Sequence, residues 1–98
     1  MFRHVVTFVW TDDATEPQKT AVADELRGLP AVIDTIRDYR VGPDAGLAEG
    51  NAEFAVVADF DDVDGYVVYR DHPEHQRVIV EHIRPILASR TAVQYEIG

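Results

Sequence analysis

The decapeptide Tyr69–Val78, with the sequence YRDHPEHQRV, concentrates side chains that can exchange protons or bind a metal ion. A histidine, whose pKa lies near neutrality, forms a usable proton-transfer pair when a tyrosine lies beside it. Tyr69 and His75 flank Pro73, a residue that interrupts helices, so both side chains can point into the cleft between two helices and a sheet. Acid–base chemistry by His75 and Tyr69 is therefore one interpretation of this segment.

A metal site is the second interpretation of the same segment. His72 and His75 are three residues apart and could share a helical face, with His4, Glu74, His82 or Asp71 available as further ligands. No strong zinc-binding spacing is present, however, and His75 and His82 lie two helical turns apart. We therefore expect no metal and no cofactor.

The third interpretation is purely structural. Pro73 suits the first position of a helix, with Asp71 or His72 at the cap, and Glu74 favours the positive end of the helix dipole. His75 would then be a half-buried polar residue without a chemical role. The residues of this segment alone do not separate this interpretation from acid–base chemistry.

Two strongly apolar segments, residues 3–10 and 53–60, are predicted as strands. Alternation places His4 on the same face as Phe8 and Trp10, so His4 can line an apolar cavity with them. The remaining strands are predicted over residues 37–42 and 90–97.

Helical spacing and capping signals separate these strands. A capping box joins Thr15 and Gln18, and the helix that it starts closes near Gly28 and Pro30. The segment AVIDTI is expected to add a short helical turn. A second helix starts at Asp61 or Asp62. A third starts at Pro73 and ends or kinks at Pro85.

The resulting order βαββαβ predicts one α+β domain over residues 1–98, a ferredoxin-like fold with a four-stranded antiparallel sheet in the order 4-1-3-2. The helices of this pattern form one layer, which can cover only one face of that sheet. Yet strands 1 and 3 are apolar on both faces, and the second face carries Val5, Val9, Ala55 and Val57. We therefore expect a second copy of the chain to cover this face by two-fold symmetry.

The amino-acid composition limits the classes of partner that the protein can bind. The formal net charge is −9, which argues against nucleic acid or an anionic membrane as a partner. Cysteine is absent, so a reducing cytoplasm is expected to suit the protein. The apolar N-terminal segment is followed by Thr11, Asp12 and Asp13, and we interpret it as a strand and not as a signal peptide.

The whole chain resembles the stress-responsive A/B barrel domain (Dabb) family of dimeric α+β barrel proteins. The resemblance lies in the segments RHVVTFVW, EFAVVADFDDVDGYVVY, HPEH with HIRP, and VQYE. It implies a ferredoxin-like homodimer whose two sheets pack into a barrel. Some plant members are very stable, stress-induced proteins. One plant member is a polyketide cyclase, of the olivetolic acid cyclase type, which performs an aldol condensation without metal.

The resemblance also implies roles for particular residues. The catalytic histidine of the cyclase type falls on His75, its tyrosine on Tyr69 and its strand-1 histidine on His4. A further pocket histidine falls on Phe54, which cannot transfer a proton. The remaining residues of a substrate-binding pocket are then expected to be Phe8, Trp10, Tyr66 and His72. The implied function is binding of an unknown small keto or aromatic ligand, with cofactor-free turnover, and the alternative is a non-enzymatic stress or stability protein.

Overall fold

The computed structural model describes residues 1–98 as four strands and three helices. The strands are β1 (Phe2–Trp10), β2 (Ile36–Pro43), β3 (Phe54–Phe60) and β4 (Leu87–Glu96), and the helices are α1 (Glu16–Arg27), α2 (Val63–Asp71) and α3 (Pro73–Val78). The sheet is antiparallel with the order β2-β3-β1-β4, so the predicted fold and strand order are confirmed.

The register of the central strands fixes which side chains share a face. His4 lies opposite Ala58 on β3 and opposite Gln94 on β4. The face that bears His4 also bears Val6, Phe8 and Trp10, all of them buried under the helices. This face of the sheet and the inner sides of the helices form one hydrophobic core.

The helices begin at the caps that the sequence indicates. The Thr15 hydroxyl accepts from the backbone amide of Gln18, and the Gln18 side-chain oxygen accepts from the backbone amide of Thr15. These two bonds confirm the capping box. The Asp62 carboxylate caps α2 by accepting from the Gly65 amide. These contacts satisfy amide groups that the first helical turn leaves without partners.

Two boundaries differ from the sequence prediction. The short helical turn after α1 covers Leu29–Ala31, so most of the AVIDTI segment lies beyond it and Ile36 already belongs to β2. The chain after α3 continues through a π-helical turn, Ile79–Ile83, and a 3-10 turn, Arg84–Ile86, before β4 starts at Leu87. Pro85 ends the helical segment as predicted, and the compact turns let β4 begin three residues earlier than expected.

The second face of the sheet carries no helix. Val5 lies between Val57 on β3 and Val93 on β4, and Val93 is 58% exposed. Val9 and Tyr95 are also exposed. We call this surface, defined by Val5, Val9, Ala55, Val57 and Val93, the open face. No helix of the chain is long and apolar enough to cross a membrane.

If a second copy covers the open face, as the sequence predicts, a charge placed there should disrupt the expected dimer. In Val57→Lys a symmetric interface would bury two ammonium groups without partners, at a cost of several kcal/mol. Sedimentation velocity should show the wild type as a dimer and the variant as monomer or aggregate. Val68→Lys introduces the same charge on an exposed position of α2 and should remain dimeric. An unchanged Val57→Lys dimer would show that another surface forms the interface.

Candidate active site

A cavity of about 340 Å³ lies between the helices and the sheet, and we call it the histidine cavity. Its volume falls in the range of small-molecule sites. Aliphatic and aromatic side chains such as Phe8, Val56, Ile79 and Ile83 form most of its wall. Its polar groups are His4, Tyr66, Tyr69, His75, Gln76 and the arginines Arg70, Arg84 and Arg90.

The break between α2 and α3 positions two of these groups. His72 adopts an extended backbone, with φ −63° and ψ 134°, because a residue before proline is disfavoured in the helical region. The last turn of α2 and the first turn of α3 therefore meet at an angle. As a result the His75 ring stacks on the Tyr69 ring, with 4.1 Å between their centroids and 29° between their planes.

The hydrogen bond at one ring nitrogen sets the tautomer of His75. Its Nδ1 lies 3.1 Å from the Arg70 carbonyl oxygen, an acceptor, so Nδ1 carries the proton. The Nε2 lone pair is then free, since no protein group donates to it. Burial lowers the pKa of His75, so the imidazole is neutral at physiological pH and can act as a base.

His4 has the opposite tautomer. The Gln94 side-chain amide nitrogen lies 2.9 Å from His4 Nδ1 and 3.0 Å from the Tyr66 hydroxyl, and it donates to both. His4 Nδ1 is therefore unprotonated, and its Nε2 carries the hydrogen. Burial, with a smaller effect of the Arg90 cation, lowers the pKa of His4 to about 4. At neutral pH His4 is thus a neutral hydrogen-bond donor.

Tyr69 is held by a second tyrosine. Its hydroxyl lies 2.8 Å from that of Tyr39 on β2, and only 2% of Tyr69 is exposed. Burial raises the pKa of Tyr69 to about 12, although the hydrogen bond shared with Tyr39 opposes the shift. Tyr69 therefore remains a phenol. Its contact with His75 is a ring stack, with no hydrogen bond between the two side chains.

The structure brings five of the eight residues predicted for the site into the histidine cavity: His4, Phe8, Tyr66, Tyr69 and His75. His72 does not line it. The His72 Nδ1 accepts from the Glu74 amide and so caps α3. For His72 the structure therefore favours a role in starting the helix.

Trp10 and Phe54 also lie elsewhere. They line a separate cavity of about 490 Å³ whose other residues are mostly polar or charged, among them Glu16, Lys19 and Glu53. Phe8 packs against both rings, at centroid distances of 5.3 and 6.2 Å, and so separates the two cavities. Sharing a sheet face with His4 does not place Trp10 and Phe54 beside it, because they lie at the far end of the strands.

Sequence reasoning did not identify Tyr39, Gln94 or the arginines as site residues. Gln94 could have been found, since strand alternation with the order 4-1 places a polar β4 side chain beside His4. Tyr39 on β2 contacts Tyr69 on α2, and no local sequence pattern predicts that these two elements lie side by side. Nowhere in the structure do three or more His, Asp or Glu side chains form a group that could hold a metal ion.

The fold and the cavity define a small ferredoxin-like protein with an internal cavity between its helices and its sheet. The chain belongs to the stress-responsive A/B barrel domain family, Dabb, whose sequence model matches residues 2–97. No curated protein sequence shows significant similarity to the chain.

Solved structures with this fold include proteins without an assigned function. A dimeric ferredoxin-like protein of unknown function from Thermobifida fusca is 45% identical, with a TM-score of 0.91 over 98% of this chain and 90% of that chain. A dimeric protein of unknown function from Bacteroides fragilis is 30% identical, with a TM-score of 0.81 and coverages of 98% and 95%.

An enzyme also has this fold. Hydroxynitrile lyase from Passiflora edulis superposes with a TM-score of 0.85 over 99% of this chain and 93% of that chain. At 16% identity the likeness shows a shared fold.

The lowered pKa of His4 makes the protein sensitive to acid. The folded state binds a proton at His4 less readily than the unfolded state, whose histidine pKa is about 6.5. Stability should therefore be full above pH about 6.5 and fall by on the order of 2 to 3 kcal/mol as pH decreases toward 4. Denaturant unfolding at several pH values measures this loss.

His4→Gln should reduce the loss of stability between pH about 6.5 and about 4.5. Some dependence of stability on pH should remain in this variant, because burial also lowers the pKa of His75. The Arg3 guanidinium holds the pKa of Asp59 below its usual range. The Asp59 carboxylate therefore contributes to the loss of stability only at lower pH. His82→Asn, which changes a histidine outside the cavity, should retain the wild-type loss. A His4→Gln variant with the wild-type pH profile would contradict the assignment.

Proposed function

We propose that the histidine cavity binds a small keto or aromatic compound and that His75 abstracts a proton from it without a cofactor. The observation that carries the proposal is the pair of neutral histidines with opposite tautomers at one cavity. One offers a lone pair at Nε2 and the other offers an N–H group at Nε2. Abstraction of a proton next to a carbonyl group needs both, a base at carbon and a donor at oxygen.

The reaction type that fits best is an aldol condensation of the polyketide cyclase type. The His75 Nε2 takes a proton from the carbon next to a carbonyl group, and the electron pair of that C–H bond forms an enolate. The His4 Nε2–H stabilises the enolate oxygen. The enolate carbon then bonds to a second carbonyl carbon, and the resulting alkoxide recovers the proton from the His75 imidazolium.

Tyr69 acts as a positioning residue in this proposal. The Tyr69 ring supports the imidazole of His75 by stacking. The hydrogen bond to the Tyr39 hydroxyl fixes the orientation of Tyr69. The raised pKa of the Tyr69 phenol is consistent with positioning and not with a role as base. The position equivalent to a further pocket histidine of the cyclase type is Phe54, which lies outside the cavity, so the proposal relies on His75 and His4 alone.

Two likenesses add support. The hydroxynitrile lyase from Passiflora edulis has the same fold, so the architecture can accommodate an enzyme. The relatives from Thermobifida fusca and Bacteroides fragilis are described as dimeric. We infer that this chain is also a homodimer, joined through the open face, and that each copy carries one histidine cavity.

Exchange of α-hydrogens tests the proton-transfer step without knowledge of the natural substrate. Acetophenone in D₂O should lose its methyl proton signal faster with the protein than without it, as followed by proton NMR. His75→Ala should lower the rate of protein-catalysed exchange by about 100-fold or more, which is the usual contribution of a general base. Its unfolding free energy should change by no more than about 1 kcal/mol, because His75 is only partly buried.

His72→Asn is the matched control. It removes a neighbouring imidazole without adding a charge near His75, and its side-chain oxygen keeps an acceptor for the Glu74 amide at the helix cap, so exchange should continue at the wild-type rate. If His75→Ala accelerates exchange as the wild type does, His75 is not the base. If the wild type itself does not accelerate exchange, a non-enzymatic binding or stability role becomes the better interpretation.

A further inference from the structure

Two arginines stand apart from every other cation in the chain. The sequence has nine Lys and Arg side chains against eighteen Asp and Glu. Seven of the nine form an ion pair with a carboxylate of the chain. Arg84 and Arg90 form none, and their side chains make no hydrogen bond within the chain. Both residues are exposed, so each guanidinium is available to a ligand.

Both unpaired arginines line the histidine cavity. No Asp or Glu contributes to its wall, although the chain as a whole has a net charge of −9. The third arginine of the wall, Arg70, is already paired by two hydrogen bonds to the Asp71 carboxylate, of 2.8 and 3.1 Å. The free positive charge of the cavity therefore comes from Arg84 and Arg90.

The two arginines come from consecutive elements of the chain. Arg84 belongs to the 3-10 turn that precedes β4. Arg90 lies opposite Phe8 in the β1–β4 ladder, on the face of the sheet that bears His4. Its cation lies close enough to His4 and His75 to lower the pKa of both imidazoles, in addition to the larger effect of burial. Arg90 therefore lines the same cavity as the proposed reacting groups.

We infer that the histidine cavity takes a substrate that bears a carboxylate or phosphate group, and that Arg84 and Arg90 bind this anion. The inference rests on the proposed function of the cavity and adds the charge of the substrate to it. Guanidinium groups bind both anions through paired N–H donors, and these charge-assisted hydrogen bonds are about twice as strong as neutral ones. The apolar wall would hold the ring or chain of the ligand, and the arginines would fix its direction.

Cinnamate and its uncharged isostere cinnamamide form a matched ligand pair that tests the charge. Isothermal titration calorimetry on the dimeric protein should show cinnamate or cinnamyl phosphate binding at least about tenfold more tightly than cinnamamide. The tighter of the two anions identifies the carboxylate or the phosphate as the natural group. Arg90→Gln should remove most of this preference, and Arg84→Gln should reduce it.

Arg27→Gln is the control, because it changes the net charge equally at a residue outside the cavity and should keep the wild-type preference. Equal binding of cinnamate and cinnamamide would overturn the anion inference while leaving a small-molecule cavity in place. Failure of every ligand to bind would overturn the inference together with the proposed function. Dissociation of the Arg90→Gln dimer would assign Arg90 to the subunit interface and would also overturn the inference.

Discussion

The chain reversal at His72 and Pro73 is the constraint on which the site depends. Proline lacks an amide donor and keeps the preceding residue out of the helical region, so α2 ends at this point and α3 starts in a new direction. The two helix ends meet at the Arg70 carbonyl, which accepts from both His75 and Gln76. These bonds satisfy a carbonyl that the end of α2 would otherwise leave free, and the same contact fixes the protonation of His75.

Neutral polar groups hold both histidines of the cavity in their tautomers, and no carboxylate forms a hydrogen bond with either imidazole. Burial keeps both imidazoles neutral, and neutral donors and acceptors select their tautomers: the Arg70 carbonyl for His75 and the Gln94 amide for His4. A carboxylate in either place would favour an imidazolium, which could not act as a base. Hydrogen bonding is also stronger in such a site than in water. The neutral network thus prepares one acceptor and one donor before a ligand arrives.

The sequence predicted the fold well because the fold depends on local periodicity. Alternation in the central strands predicted their two faces, and the caps at Thr15 and at the Asp61–Asp62 pair predicted where helices begin. Sequence reasoning named five residues that line the histidine cavity: His4, Phe8, Tyr66, Tyr69 and His75. It could not show that Tyr39 meets Tyr69, because that contact depends on how β2 and α2 pack in three dimensions. The separation of Trp10 from His4 follows from the rise of about 3.3 Å per residue along a strand, which the sequence prediction did not apply.

The two faces of the sheet are coupled through the register of β1 and β3. On the open face Arg3 lies directly opposite Asp59 and donates two hydrogen bonds to its carboxylate, of 2.7 and 2.8 Å. Asp59 is only 5% exposed. A slip of one residue would leave this buried carboxylate without its partner, which is costly. The same slip would exchange His4 for Val5 in the cavity, because successive side chains alternate between faces. The ion pair on the open face therefore helps to hold His4 in the site on the opposite face.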